Sequence, residues 1–232
     1  MKIIIKTAVF ICYILIATTA ESGDANKYIL ANNSMRAGIA YIPTLSSGRI
    51  VGEPQMGQIS YSPKVGYHFG VIGSYIFGKR TFVETGIMHQ THILQFNQKA
   101  STQFSFLNNA LEKETTLRFA SYSVPIRMLF YDGLFRFRRY LSVGPVVNFM
   151  YSRRQEETHT FEDNYPITDV FKNKSGFNMF SPEMRIGLGF EYDLENDLSF
   201  KVEPILSFGF YRGKTKANMI TFGILIAAQL QQ

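Results

Sequence analysis

Apolar and polar residues alternate with a period of two along most of the chain, most sharply near its C-terminal end. In the segment 180–194 the apolar set is Phe180, Pro182, Met184, Ile186, Leu188, Phe190, Tyr192 and Leu194, interleaved with Ser181, Glu183, Arg185, Gly187, Gly189, Glu191 and Asp193. The segment 198–211 sets Leu198, Phe200, Val202, Pro204, Leu206, Phe208 and Phe210 against Ser199, Lys201, Glu203, Ile205, Ser207, Gly209 and Tyr211. Successive side chains of a β-strand point to opposite faces, so each segment is predicted as a strand with one apolar and one polar face. Both exceed the ~9–11 residues that a tilted strand needs to cross a bilayer.

Six more strands follow from the same pattern. The first covers residues 35–43, where the alternation is blurred, and the second is marked by Val65, Tyr67, Phe69, Val71, Gly73, Tyr75 and Phe77. The third, 81–96, has Val83, Thr85, Ile87, His89, Thr91 and Ile93 as its outer face. The fourth, 116–131, turns Ala120, Tyr122, Val124, Ile126, Met128 and Phe130 outward. The fifth, 140–152, turns Leu141, Val143, Pro145, Val147, Phe149 and Tyr151 outward and Ser142, Gly144, Asn148 and Ser152 inward. The last, 218–230, carries Ile220, Phe222, Ile224, Ile226, Ala228 and Leu230 on its apolar face.

The connections alternate in length. Those after the first, third and fifth strands are long (44–62, 97–115 and 153–179). Those after the second, fourth and sixth are short, at Gly78-Lys79-Arg80, Asp132-Gly133 and Glu195-Asn196-Asp197. The final connection, 212–217, is short and basic. Small outer-membrane barrels have short periplasmic turns and long outside loops. The expected fold is therefore all-β: an eight-stranded, antiparallel, up-and-down transmembrane β-barrel with apolar faces to lipid and polar faces to the lumen.

A soluble periplasmic barrel of lipocalin type, carrying a hydrophobic ligand, would invert both faces. Three features favour the membrane. Pro145, Pro182 and Pro204 lie on apolar faces. The polar faces hold many small residues, among them Gly144, Gly187, Gly189, Ser199, Ser207 and Gly209. The apolar stripes carry almost no charge over six or seven consecutive outward positions.

The start of the chain bears on location. Lys2 and Lys6 form a short basic region, residues 3–16 are mostly apolar, and Thr18-Thr19-Ala20 offers small residues before Glu21. This reads as a secretory signal peptide over 1–20, leaving a single barrel domain over 21–232. Cys12, the only cysteine, lies within the signal, so the mature chain is expected to hold no disulfide and no thiolate nucleophile. Loss of two lysines lowers the formal charge from +6 to +4. That excess is dispersed, with no basic and aromatic cluster of the kind that binds nucleic acid.

The segments Tyr122-Ser123-Val124-Pro125-Ile126, Tyr140-Leu141-Ser142-Val143-Gly144-Pro145 and Gly187-Leu188-Gly189-Phe190-Glu191-Tyr192 resemble strands of the PorT-like outer-membrane β-barrel proteins of Bacteroidetes. The resemblance spans about residues 35–230. Ser123 stands where many members carry a carboxylate, and the chain ends Gln229-Leu230-Gln231-Gln232 instead of on an aromatic residue. The resemblance implies an outer-membrane barrel. It leaves the role open, since one founding member takes part in protein secretion and most have no assigned activity.

Candidate chemistry is concentrated on the lumen face: Glu84, Arg127, Glu183, Arg185, Glu191, Lys201 and Glu203. In a narrow interior these are expected to pair as a structural charge network, because an unpaired buried charge is costly. Glu183 and Arg185 are expected to face Lys201 and Glu203 across the turn or one register away. His89 and His92, three apart, fall on opposite faces and form no simple metal pair. His159, beside Glu156, Glu157, Glu162 and Asp163, lies in an acidic loop whose spacing matches no ion-binding motif. No metal and no cofactor are expected.

A lipid-modifying enzyme using His89 with Thr91 is a lesser alternative, since no nucleophile elbow or orienting carboxylate is visible. The expected role is non-enzymatic: structural or partner-binding, through loops rich in exposed aromatics (Phe104-Ser105-Phe106-Leu107, and Phe161 to Phe177), within a secretion or envelope assembly. The expected partners are outer-membrane lipid, lipopolysaccharide and a protein at the outside loops.

Overall fold

A computed structural model describes residues 35–51, 59–77, 80–99, 112–132, 136–161, 166–171, 180–194, 198–211 and 216–231. The expected signal segment 1–20 with Cys12, the segment 104–107 and the centres of the short turns lie outside these residues. The strands are β1 (Met35–Val51), β2 (Ile59–Ser62), β3 (Lys64–Ile76), β4 (Thr81–Lys99), β5 (Glu112–Asp132), β6 (Phe137–Thr160), β7 (Pro166–Phe171), β8 (Phe180–Asp193), β9 (Leu198–Tyr211) and β10 (Lys216–Gln231).

Eight of the ten strands form a closed antiparallel ring in the order β1, β3, β4, β5, β6, β8, β9, β10, and β10 pairs back to β1. Ala37 opposite Leu230 and Leu45 opposite Phe222 fix the closing register. Closure leaves no open edge, which is the condition for a sheet to sit in lipid. The remaining two strands extend the wall: β2 continues the pairing of β4 beyond β3, and β7 pairs with the far end of β6.

The faces are those of a membrane barrel. Outward residues are apolar and open, with Val65 at 68%, Ile39 at 67% and Ile87 at 60% relative exposure, whereas inward Glu84, Glu191 and Glu203 are at 0%. This arrangement overturns the inverted, lipocalin-type alternative. Pro145, Pro182 and Pro204 all sit on the outer face. Two aromatic belts bound the apolar band. One contains Tyr75, Phe77, Phe130, Phe137, Phe190 and Tyr192, with Phe137 and Phe190 stacked at 5.5 Å. The other contains Tyr67, Phe69, Tyr122 and Tyr151 around His89. From Tyr67 to Phe77 the outer limits of the two belts span about 10 residues, or ~25 Å of height at ~3.4 Å per residue and ~40° tilt, which matches a bilayer core.

The interior is filled in layers. Along β4, Phe82, Glu84, Met88, Gln90, His92, Leu94 and Phe96 all point inward and belong to successive layers. Phe82, Leu129, Tyr131 and Tyr140 close the periplasmic end. Above them lies a charged layer, then an apolar layer of Ala40, Ile42, Ile72, Met88, Ile205, Leu225 and Ala227. A second polar layer follows, capped by Leu94, Phe96, Leu117, Phe119 and Met219.

Several boundaries differ from the sequence reading. The connections expected at 44–62, 97–115 and 153–179 contain strand: β1 runs on to Val51, β4 to Lys99 and β6 to Thr160, while β2 and β7 lie wholly within them. The cause is an inversion of polarity beyond the outer belt. There the inward residues become apolar (Leu94, Phe96, Leu117, Phe119) and the outward ones polar (Gln95, Asn97, Thr116, Arg118), because the outside of the wall now meets water.

Ser152, expected inward, is exposed. A β-bulge lies opposite Ala120 and Ser121, whose partners are Ser152 and Met150, so Tyr151 is the extra residue and the phase of β6 shifts past it. Glu183 and Arg185 do not face Lys201 and Glu203. The tight turn closed by Leu194 N–H donating to Leu198 O at 2.7 Å places Glu191 opposite Lys201, Arg185 opposite Ser207 and Glu183 opposite Gly209.

Candidate functional site

Strand alternation carries Glu84, Arg127, Glu183, Arg185, Glu191, Lys201 and Glu203 onto the inner face, and all seven are buried. The ring divides them into two groups separated by the apolar layer around Met88.

The periplasmic group centres on Arg127 and Glu191. Arg127 donates from Nη1 to Glu203 Oε1 at 2.7 Å and pairs through Nη2 with Glu84. Lys201 Nζ lies 3.2 Å from Glu84 and 3.6 Å from Glu191. Glu203 also accepts from the Tyr140 hydroxyl at 3.0 Å and from Ser142, while Glu191 accepts from Tyr131. Two further arginines join: Arg36, paired with Glu191, and Arg138, which donates to Glu191 at 2.7 Å and to Asp193 Oδ1 at 2.6 Å. Among these described residues, four cations (Arg36, Arg127, Arg138, Lys201) balance four carboxylates (Glu84, Glu191, Asp193, Glu203). Glycines on β8 make room for it: a Cβ on Gly187 would strike the Glu203 carboxylate, and one on Gly189 the Tyr140 ring.

The outer group is smaller. Arg185 donates to Glu183 at 3.0 Å and to Ser207 at 3.3 Å, and Asn148 Nδ2 donates to Glu183 at 3.2 Å. Beside it, His92 Nε2 donates to Gln90 Oε1 at 3.1 Å, which leaves Nδ1 to accept from Ser46 at 3.3 Å. His68 stands edge-on to His92 at 4.8 Å, and neither of its ring nitrogens has a hydrogen-bond partner among the described residues.

Arg36, Arg138, Tyr131 and Tyr140 were absent from the sequence-derived network. Arg36 lies in the strand with blurred alternation. Arg138 precedes the expected start of its strand, although it keeps the same two-residue spacing as Tyr140 and Ser142. The two tyrosines give no sign in sequence that their hydroxyls reach carboxylates across the lumen. The His68–His92 neighbourhood needs the register of β3 on β4, which sets His68 opposite Gln90. Ser123 is buried and donates to Met88 O at 3.3 Å, so at this position a hydroxyl serves the wall.

On the outer face His89 takes Tyr151 as its partner, Nε2 to hydroxyl at 2.7 Å, within the aromatic belt. Beyond the belt, Lys113 and Glu157 pair at 3.0 Å, with His159 3.8 Å from Glu157. Among the described residues, no three His, Cys, Asp or Glu side chains are placed to hold a metal ion. No helix among them is long and apolar enough to cross a membrane, which says nothing about strands.

A family model described as an outer membrane protein beta-barrel domain matches residues 29–213. No curated protein matches the chain by sequence. Among solved structures, Neisserial surface protein A aligns with a TM-score of 0.45 at 8% identity, covering 84% of this chain and 97% of its own. OprG of Pseudomonas aeruginosa aligns with a TM-score of 0.40 at 15% identity, covering 85% and 94%. The outer membrane protease OmpT of Escherichia coli aligns with a TM-score of 0.39 at 9% identity, covering 89% and 100%.

Proposed function

Because the chain belongs to the outer membrane β-barrel family, we propose that it is a non-enzymatic outer-membrane protein whose wall is a support and whose outside end binds a partner. The observation that carries this reading is the filled interior. Two ion-paired groups and three apolar layers occupy the lumen, so among the described residues the side chains free to vary toward a partner lie on β2 and β7. Within the family, the segments around Ser123, Gly144 and Gly189 support a PorT-like member from Bacteroidetes, with work in a secretion or envelope assembly.

The lumen charges serve as internal braces in this reading, not as a conduction path. Eight-stranded interiors are just wide enough for side chains, and here long charged ones span the width. Export through a signal over 1–20 fits the same picture.

A deletion series tests the proposal. Shortening 101–110 or 162–165 in the full chain is expected to leave the heat-modifiable gel mobility intact while removing a co-purifying partner. A lumen substitution should do the reverse. Loss of a lipid-modifying or proteolytic activity from the same preparations, with partners retained, would overturn the non-enzymatic reading.

A further inference from the structure

On the outer face of the wall, Arg118 of β5 and Arg154 of β6 sit directly opposite each other. Like charges in a directly opposed pair repel, and a strand pair tolerates them at a cost. Their side chains are about half exposed, at 53% and 50%. One carboxylate lies between them: Glu156 is 2.9 Å from Arg154 Nε but 3.9 Å from Arg118 Nη2. The trio therefore keeps a net positive charge, and the Arg118 fork is left beyond hydrogen-bond reach of Glu156.

The bulge at Tyr151 creates this arrangement. Without the extra residue, strand alternation would turn Arg153 outward and Arg154 in. With it, Arg153 turns inward, opposite Phe119, and Arg154 outward, opposite Arg118. Bulges recur where a side chain must be re-aimed. The same feature holds Tyr151 against Tyr122, stacked at 5.1 Å, and against His89. The arginines thus stand four residues above Tyr122 and three beyond Tyr151, ~10 Å above the aromatic belt after allowing for tilt. At that height the wall leaves the acyl chains and meets headgroups. Further up, Lys99 faces Glu112 and Glu114 adds another outer-face carboxylate opposite Asn97 and Thr158, so the net positive charge lies only at the level just above the belt.

We propose that Arg118 and Arg154 bind the phosphorylated sugar headgroup of an outer-leaflet glycolipid whose acyl chains lie against the Tyr122–Tyr151–His89 belt. A guanidinium presents paired donors that match phosphate oxygens, and a phosphate between the two forks would relieve their repulsion. The site rests on the membrane placement alone and needs no protein partner.

The test uses the mature full chain in detergent, with bound lipid counted by native mass spectrometry. The probes are diphosphorylated lipid A, the same lipid with both phosphates removed, and inorganic phosphate. The wild type is expected to retain diphosphorylated lipid A at least tenfold more tightly than the dephosphorylated form. The double variant R118Q/R154Q should lose that preference. Arg49→Gln, an exposed cation on β1 away from the pair, should keep it. Unboiled gel mobility checks the fold of each variant. Should the double variant fail to fold, the single variants Arg118→Lys and Arg154→Lys keep the charge but lose the fork, and each should weaken binding. Equal retention by wild type and variants overturns the proposal. So does equal binding of both lipid forms, or displacement of the lipid by equimolar inorganic phosphate, which would mark a free-anion site.

Discussion

Replacing Arg127 with methionine isolates the energetic weight of the periplasmic lumen group. Arg127 is 2% exposed and links Glu84 to Glu203. Its loss leaves four carboxylates against three cations. Glu84 keeps Lys201 at 3.2 Å and Glu203 keeps the Tyr140 hydroxyl at 3.0 Å, so neither acid is wholly abandoned. Removing one partner of a buried pair costs ~3–5 kcal/mol, and the surviving contacts place this case near the lower end, at ~3 kcal/mol. With a urea dependence of ~1–3 kcal/mol per molar, the unfolding midpoint should fall by ~1–3 M. The measurement is urea unfolding of the barrel refolded into lipid vesicles, read as the loss of the unboiled band. The double variant Arg127→Met with Glu203→Gln restores three cations against three carboxylates. It should unfold later than the sum of the two single losses predicts, by ~1 kcal/mol or more of coupling. A single variant within ~0.5 kcal/mol of wild type, or strict additivity in the double, would refute the view that the group acts as one brace.

Four further outcomes are expected. Gly189→Val would drive side-chain carbon into the Tyr140 ring and should abolish the folded, unboiled band, whereas Gly73→Ala, whose Cβ would meet Arg36 O at 3.5 Å, should fold normally. Ile126→Arg places a charge on the lipid face between the belts and should destabilise the vesicle-inserted barrel by ~2–4 kcal/mol; tolerance would mean that this face does not meet lipid. Tyr151→Phe removes the hydroxyl bonded to His89 and should cost ~1 kcal/mol, seen as a lower urea midpoint with unchanged gel mobility. Arg185→Ala, which leaves Glu183 with Asn148, should lower resistance to heat in the gel-shift assay; intact heat resistance with loss of a measurable activity would contradict a structural role.

The part of the fold that touches lipid was legible in the sequence because lipid imposes one rule on every outward position. Phe180 to Leu194 obeys that rule without exception, and its strand ends within one residue of the expected one. Where the wall leaves the membrane the rule reverses, and a reading keyed to apolar outward faces stops at Phe96 or Ser152 although the hydrogen bonds continue. The reversal is visible in Ile93-Leu94-Gln95-Phe96-Asn97, where the apolar phase changes from odd to even positions.

Which face each lumen charge occupies was equally legible, because alternation alone decides it. Which partner it meets was not: Arg127 reaches Glu203 and Arg36 reaches Glu191 across the ring, and no local pattern encodes a distance across a lumen. The bulge at Tyr151 escaped for a related reason. One unpaired residue leaves no compositional trace and declares itself only in the register of the neighbouring strand.

The cross-lumen pairs have a consequence for how the chain assembles. Arg127 and Glu203 belong to β5 and β9, Arg36 and Glu191 to β1 and β8, and Glu84 and Lys201 to β4 and β9. None of these three couples adjacent strands, so a sheet growing hairpin by hairpin gains none of them; the neighbour pairs Glu84–Arg127, Glu191–Lys201 and Arg138–Glu191 can form before the ends meet. The stabilisation of the three spanning pairs arrives together, when β10 finds β1. Partly built sheets are thereby kept out of the bilayer interior, and once shut the barrel has no inexpensive first strand to release. The pairs that span the lumen thus reward closure as a single event, and the width of the interior itself ties the two ends of the chain together.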